Sequence, residues 1–185
     1  MEIKDLSIEL NIAKKAAIES GKLLLQNKIE LNKSLKVVQK DTKLLADVES
    51  ENLIKEIIVT KSQYPILAEE TGKSADDLGD TFWVIDPLDG TANYNRGIPI
   101  CCVSIGLVKK MKPVLGVIYD FNNDEIYTGD KFSNISSMND ELIKVSDKDK
   151  KDDSILVTGL PHHTDYSNES LDKMIKDMQT WKKVR

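Results

Sequence analysis

The apolar positions divide the chain into a helical start, a run of strands and a polar interval ahead of a last helix. Leu6, Leu10, Ala13, Ala17, Gly21 and Leu24 recur at helical spacing and predict a long amphipathic helix from about Asp5 to Asn32. Val48, Leu53, Ile54, Ile57 and Ile58 predict a second helix that reaches about Lys61. Strands are expected near Ile66 and Trp83, then at Cys101 to Val108, Val114 to Tyr119 and Glu125 to Thr128. Lys109 to Pro113 and Phe121 to Asp124 read as hairpin connections. Two helices ahead of closely spaced antiparallel strands point to segregated layers rather than to strictly alternating strand and helix.

Apolar periodicity lapses between Ser133 and Asp153, where NISSMNDE and SDKDKKDD intervene. A boundary there gives a first α+β domain at 1–140 and the start of a second at 141–185. Ser154 to Thr158 returns to a strand, and Leu171, Met174, Ile175, Met178 and Trp181 form the apolar face of a last helix, with its methionines as core filling. No internal repeat is present.

Composition bounds the function class without naming it. The 185 residues, 40% of them hydrophobic, suffice for a core in one domain or one and a fraction. A formal net charge of -5 argues against a general nucleic-acid surface, and the basic cluster at Lys109 to Lys112 reads as a solvated turn. With no cationic apolar leader and no apolar run of bilayer length, no membrane partner is expected and the cytoplasm is the expected location. Cys101 and Cys102, adjacent on a strand, read as packed free thiols, and no zinc-ligand spacing exists.

The densest chemistry lies in WVIDPLDGTANY, Trp83 to Tyr94. Phe82 to Ile85 favour a strand, whereas Asp86-Pro87 and Asp89-Gly90 form turns, so the strand is expected to end at Asp86. Pro87 restrains both itself and Asp86, which fixes the geometry of two carboxylates across a tight turn. Such oxygens suit Mg²⁺, and a backbone carbonyl such as that of Leu88 can complete such a shell. Gly90 permits close backbone approach, and the amides of Gly90 and Thr91 suit a phosphate if a helix begins there. A surface turn is the ordinary reading of such a segment taken alone.

Two further acidic positions strengthen the site reading. Ile66, Leu67 and Ala68 form a short strand that runs into Glu69 and Glu70. Asp47, in LLADVESE, sits where a loop gives way to a helix, as an N-cap or as a site carboxylate. Three acidic element ends are compatible with one metal centre.

Glu69-Glu70, WVIDPLDGTANY and the strand-like IPICCVSIGLV together resemble the inositol monophosphatase family of magnesium-dependent, lithium-sensitive phosphatases. ADVESE is a supporting match, and Ala92, Asn93 and Tyr94 resemble the inositol-phosphate branch rather than the bisphosphate nucleotidases. The resemblance implies an α/β fold of α+β type, a layered α-β-α-β-α sandwich, and a homodimer. It implies that Glu69, Asp86 and the Leu88 carbonyl bind one Mg²⁺, that Asp86 and Asp89 contribute to a second, and that Glu70 is adjacent. Asp47 and Thr91 match the pair that orients and activates the attacking water, and the Gly90 and Thr91 amides match the phosphate contacts. The implied substrate is a small phosphorylated polyol, inositol monophosphate or a similar ester. Related alternatives are fructose 1,6-bisphosphate, 3'-phosphoadenosine 5'-phosphate and histidinol phosphate.

The pattern also departs from the family. Leu44 or Leu45 stands where many relatives have Thr, and neither the family's Gly- and Ala-rich segment nor its Trp-Asp signature, whose Asp completes the second metal site, occurs in these 185 residues. A truncated chain with an incomplete C-terminal part is therefore expected, and a catalytically inactive domain of this fold is the reading from another class. His162 and His163, side by side on a loop, read as solvated or as a substrate rim.

Overall fold

The computed structural model describes residues 5–38, 41–159 and 167–185, without the side chains of 36–42. His162 and His163 lie outside the described residues. Two compact units divide at Ile143/Lys144.

The first unit begins with α1, Ser7–Gln26, which a turn at Asn27 separates from the single-turn α2, Lys28–Leu31. The long helix expected to Asn32 is thus broken. Asn27 has φ -108° and ψ 22°, and Asn is a weak helix former that favours such breaks. A hairpin of β1, Ser34–Val38, and β2, Asp41–Leu44, follows, where only a loop was expected. Then come α3, Leu45–Val59, β3, Ile66–Ala68, and β4, Gly72–Lys73. The site segment is β5, Thr81–Asp89, followed by α4, Thr91–Arg96. A meander closes the unit: β6, Cys102–Lys109, β7, Lys112–Asp120, β8, Glu125–Asp130, β9, Ile135–Met138, and β10, Glu141–Leu142. The last two strands occupy residues read as a boundary. Thr128 and Ser137, whose hydroxyls are 2.7 Å apart, show how polar side chains pair across strands without an apolar alternation to announce them.

Eight of these strands form one sheet in the order β10-β9-β8-β7-β6-β5-β3-β4. Every pairing is antiparallel except β3 with β5. The helices α1 and α3 pack on each other and on the centre of the sheet, α1 over β6 and β7 and α3 over β5. Ile12, Ala16, Leu24, Ile54, Ile58, Trp83, Ile105, Leu107 and Val117 are among the side chains buried between them. Small residues bring α1 close to the sheet: a Cβ added to Gly21 would stand 2.5 Å from Tyr119 Cε1 and 2.8 Å from Phe121 Cβ. The Lys110-Met111 turn between β6 and β7 has φ of 50° and 58°, the primed geometry that suits strand twist.

In the second unit β11, Ile155–Leu156, pairs in parallel with β12, Lys183–Val184, and α5, Asn168–Met178, lies between them in sequence. The strand expected at Ser154 to Thr158 is shorter. The Ser167 hydroxyl caps α5 by accepting from the Ser170 amide at 3.4 Å. No residue of α5 is buried, so Met174 and Met178 are half-covered rather than core filling, and Trp181 follows the helix instead of belonging to it. Among the described residues no helix is long and apolar enough to cross a membrane.

Gly21→Ala should destabilise the fold by about 1–3 kcal/mol, because the new methyl overlaps Tyr119 and Phe121 where α1 meets β7. Urea unfolding followed by circular dichroism measures the loss, and a variant as stable as the parent would show that α1 can lift without cost.

Candidate functional site

The parallel pairing of β3 with β5 aligns Ala68 with Ile85, so the next residues, Glu69 and Asp86, lie level on neighbouring strands. The Glu69 amide donates to the Ile85 carbonyl at 3.1 Å and locks that register. The two carboxyl groups lie close enough to influence each other's ionisation. Although Glu69 keeps an exposed edge, lost solvation and then the negative charge of Asp86 push its pKa up to about 8. Burial also raises Asp86.

The strand does not end at Asp86. Asp86 pairs with Ser104 and Asp89 with Cys102, so Pro87 and Leu88 oppose Val103 alone in a bulge. Proline is tolerated there because a bulge leaves ladder bonds unmade. Asp86 Oδ1 accepts from the Leu88 amide at 3.2 Å, which folds the carboxylate over the bulge. Asp89, beyond it, is exposed, and its Oδ2 lies 3.9 Å from the Cys102 thiol. Burial and the charges of Asp89 and Asp86 push that thiol up to about 12, which leaves it inert as a nucleophile. Both cysteines are free, Cys101 buried and Cys102 half-buried.

Gly90 turns the chain from β5 into α4 with φ 88°, and a Cβ there would stand 2.7 Å from the Ile100 carbonyl. Glycine is required on both counts. The first amides of α4, starting at Thr91, belong to the turn that lacks intrahelical acceptors. Tyr94, buried on α4, donates to the Leu24 carbonyl at 2.7 Å and so ties this turn to the end of α1.

Asp47 is the third residue of α3 and not its cap. Its Oδ2 accepts from the Leu44 amide at 2.6 Å, while Oδ1 accepts from the Thr91 hydroxyl at 2.9 Å. Burial raises its pKa, and these two donors oppose the shift. The Thr91 hydroxyl also lies 3.0 Å from the Leu88 carbonyl, so its single proton has two competing acceptors. Asp47, Thr91 and the Leu88 carbonyl thus meet at one point.

Several site neighbours had no place in the motif. Glu51, buried one turn after Asp47, accepts from the Glu70 amide at 2.8 Å and from the Thr71 hydroxyl at 2.6 Å. Lys43 forms an ion pair with Glu70, whose hydrogen bond raises the lysine's pKa against the effect of burial. The four-residue interval from Asp47 to Glu51 on a helix is a signal that both face one way. Lys43 carried no such signal, because its position follows from the β1–β2 hairpin.

The donor set is all oxygen: the exposed Glu69 carboxylate beside the half-buried Asp86, a third carboxylate nearby and a carbonyl, the chemistry of a hard cation. Among the described residues no group of three or more His, Cys, Asp or Glu side chains is already placed to hold a metal ion. A cation held by Glu69 and Asp86 would offset the negative charge that helps to raise the Glu69 pKa. An open cavity of about 510 Å³ adjoins Asp89 and Gly90 and is lined by Asn93, Ile100, Asp120 and Tyr127 among others. A recess of about 550 Å³ near Ile8 and Tyr64 holds none of these carboxylates and has no comparable chemistry.

Residues 5–184 match the pattern of the inositol monophosphatase family. The chain belongs to that family. It is 36% identical over 163 residues to the fructose-1,6-bisphosphatase/inositol-1-monophosphatase of Aquifex aeolicus, covering 86% of this chain and 61% of that protein. Over 156 residues it is 36% identical to Nus factor SuhB of Xylella fastidiosa, covering 81% and 54%. The inositol monophosphatase structure from Anabaena superposes with a TM-score of 0.81 at 35% identity, covering 97% of this chain and 66% of that one. The chain therefore spans less than two thirds of these relatives. Its mixed sheet and packed helices are the fold of the inositol monophosphatase family member.

Because the folded pKa of Glu69 lies above its unfolded value, the stability this group contributes is complete below the ordinary carboxylate range and is lost as pH rises through about 8. In EDTA, Glu69→Gln should flatten the fall in thermal midpoint across that window and melt above the parent at its alkaline end. Parallel midpoint curves for the two proteins would show that the Glu69–Asp86 repulsion is absent.

Proposed function

We propose that this family member carries the metal-binding and water-activating groups of a Mg²⁺-dependent phosphomonoesterase that acts on inositol monophosphate or a similar polyol phosphate. The observation that carries the reading is the junction at one bulge of the Glu69–Asp86 pair with the Thr91–Asp47 hydrogen bond. Glu69, Asp86 and the Leu88 carbonyl would hold one Mg²⁺, and Asp86 and Asp89 would contribute to a second. Mg²⁺ bound there supplies charge neutralisation for the phosphate oxygens and makes the attacking water more acidic.

The remaining roles belong to the chain. When the Thr91 proton is given to Asp47 Oδ1, a lone pair of the same hydroxyl is free to accept from a water and aim it. Asp47 is the proton holder of that relay: burial raises its pKa and so its basicity, against the hydrogen bonds from the Leu44 amide and the Thr91 hydroxyl. The amides of Gly90 and Thr91 would receive the phosphate at the start of α4. The polar wall of the neighbouring cavity, Asn93, Asp120 and Tyr127, suits the hydroxyls of a polyol leaving group better than an apolar one. The Aquifex relative, named for both activities, supports fructose 1,6-bisphosphate as the second reading of the substrate. A homodimer, a cytoplasmic setting and inhibition by Li⁺ complete the proposal.

Phosphate release from inositol 1-phosphate should require Mg²⁺, fall with Li⁺ and disappear in Asp86→Asn. Release that persists in EDTA or in Asp86→Asn overturns the reading. Asp47→Asn should lower kcat by about 10²–10⁴-fold, the usual worth of a positioned general base, while Mn²⁺ titration shows metal affinity close to the parent's.

A further inference from the structure

A buried pair of serines reaches the bulge from behind. Ser20 on α1 and Ser50 on α3 are both fully buried, with their hydroxyl oxygens 2.5 Å apart. Ser50 Oγ also lies 2.7 Å from the carbonyl of Pro87, on β5. A carbonyl cannot donate, so the single proton of Ser50 goes to Pro87, and Ser20 must be the donor in the serine pair. Serines inside helices commonly bond back to their own backbone, whereas this proton leaves its helix for another element.

The target explains the arrangement. Pro87 is buried in the bulge, where strand pairing is interrupted between Asp86 and Asp89, and a buried carbonyl without a ladder partner is costly. The Pro87 carbonyl and the Leu88 amide are the two ends of one planar peptide unit. Ser50 grips the first end at 2.7 Å, and Asp86 Oδ1 accepts from the second at 3.2 Å. Rotation of this peptide would swing the amide that Asp86 Oδ1 accepts from, and would change the backbone angle that leads into the Leu88 carbonyl.

We propose that Ser50, its proton directed outward by Ser20, is a positioning residue that sets the orientation of Asp86 and Leu88 for metal binding. The metal part of this inference rests on the reading of Asp86 and Leu88 given above; the orientation of the peptide does not. Satisfaction of two buried hydroxyls by each other is the alternative, and it requires no bond to Pro87.

The test uses the full 185-residue chain and two readouts. In metal-free protein, Ser50→Ala should speed amide exchange at Leu88, measured by NMR, and should weaken Mn²⁺ binding about tenfold, as loss of an outer partner of a metal site does. The double variant Ser50→Ala/Ser20→Ala removes the hydroxyl orphaned by the first change. It should regain thermal midpoint relative to Ser50→Ala yet bind Mn²⁺ as weakly, which separates positioning from stability. Unchanged Leu88 exchange in Ser50→Ala, or Mn²⁺ affinity that recovers with the midpoint, overturns the proposal. If the parent binds Mn²⁺ no better than Asp86→Asn, the metal reading fails, and Leu88 exchange alone still decides whether Ser50 sets the peptide.

Discussion

Two carboxyl groups held side by side define this structure. Parallel pairing of β3 with β5 brings Glu69 level with Asp86, where lost solvation and the neighbouring charge raise the Glu69 pKa. Such a contact costs stability unless something positive or a proton occupies it. Much of the surrounding structure holds the pair in place. The Glu69 amide is bonded to Ile85, Asp86 is folded over Leu88, and Glu70 is restrained through its amide by Glu51 and through its side chain by Lys43.

The start of α3 works on the same bulge. Asp47, Ser50 and Glu51 reach Thr91, the Pro87 carbonyl and the Glu70 amide in turn. One helix thereby links the end of β3, the bulge of β5 and the start of α4, whose Tyr94 is in turn anchored on α1. The site is built on the buried layer between helices and sheet, so its geometry depends on core packing as well as on its own hydrogen bonds. The cost of holding these carboxyl groups partly out of water is offset by burial of Trp83, Leu24, Ile54 and their neighbours beneath them.

Much of this was legible in the chain. Helical spacing located α1 and α3, β-favouring runs located β3, β5 and the meander, and DPLDGT marked the site because Asp, Pro and Gly have strong local conformational meaning. The errors have physical causes. The β1–β2 hairpin carries Lys and Asp where strands usually alternate apolar residues, and β9 and β10 lie in a polar stretch whose pairing is made by backbone and hydroxyl groups. The strand is expected to stop at Asp86 because Asp86-Pro87 and Asp89-Gly90 are turn formers, yet the sheet absorbs the proline in a bulge and resumes at Asp89.

The sequence by itself determined the local chemistry: which residues are acidic, where glycine and proline bend the backbone, and which segments have an apolar face to bury. Those properties depend on residues close together along the chain. Tertiary structure alone decided which groups meet. Glu69 reaches Asp86 through strand register, Thr91 reaches Asp47 across 44 positions, and Ser20 meets Ser50 only because α1 packs against α3. Local propensity contains no information about partners so distant; burial of the shared core selects them, because only one packing covers the apolar faces while pairing the polar groups trapped beside them.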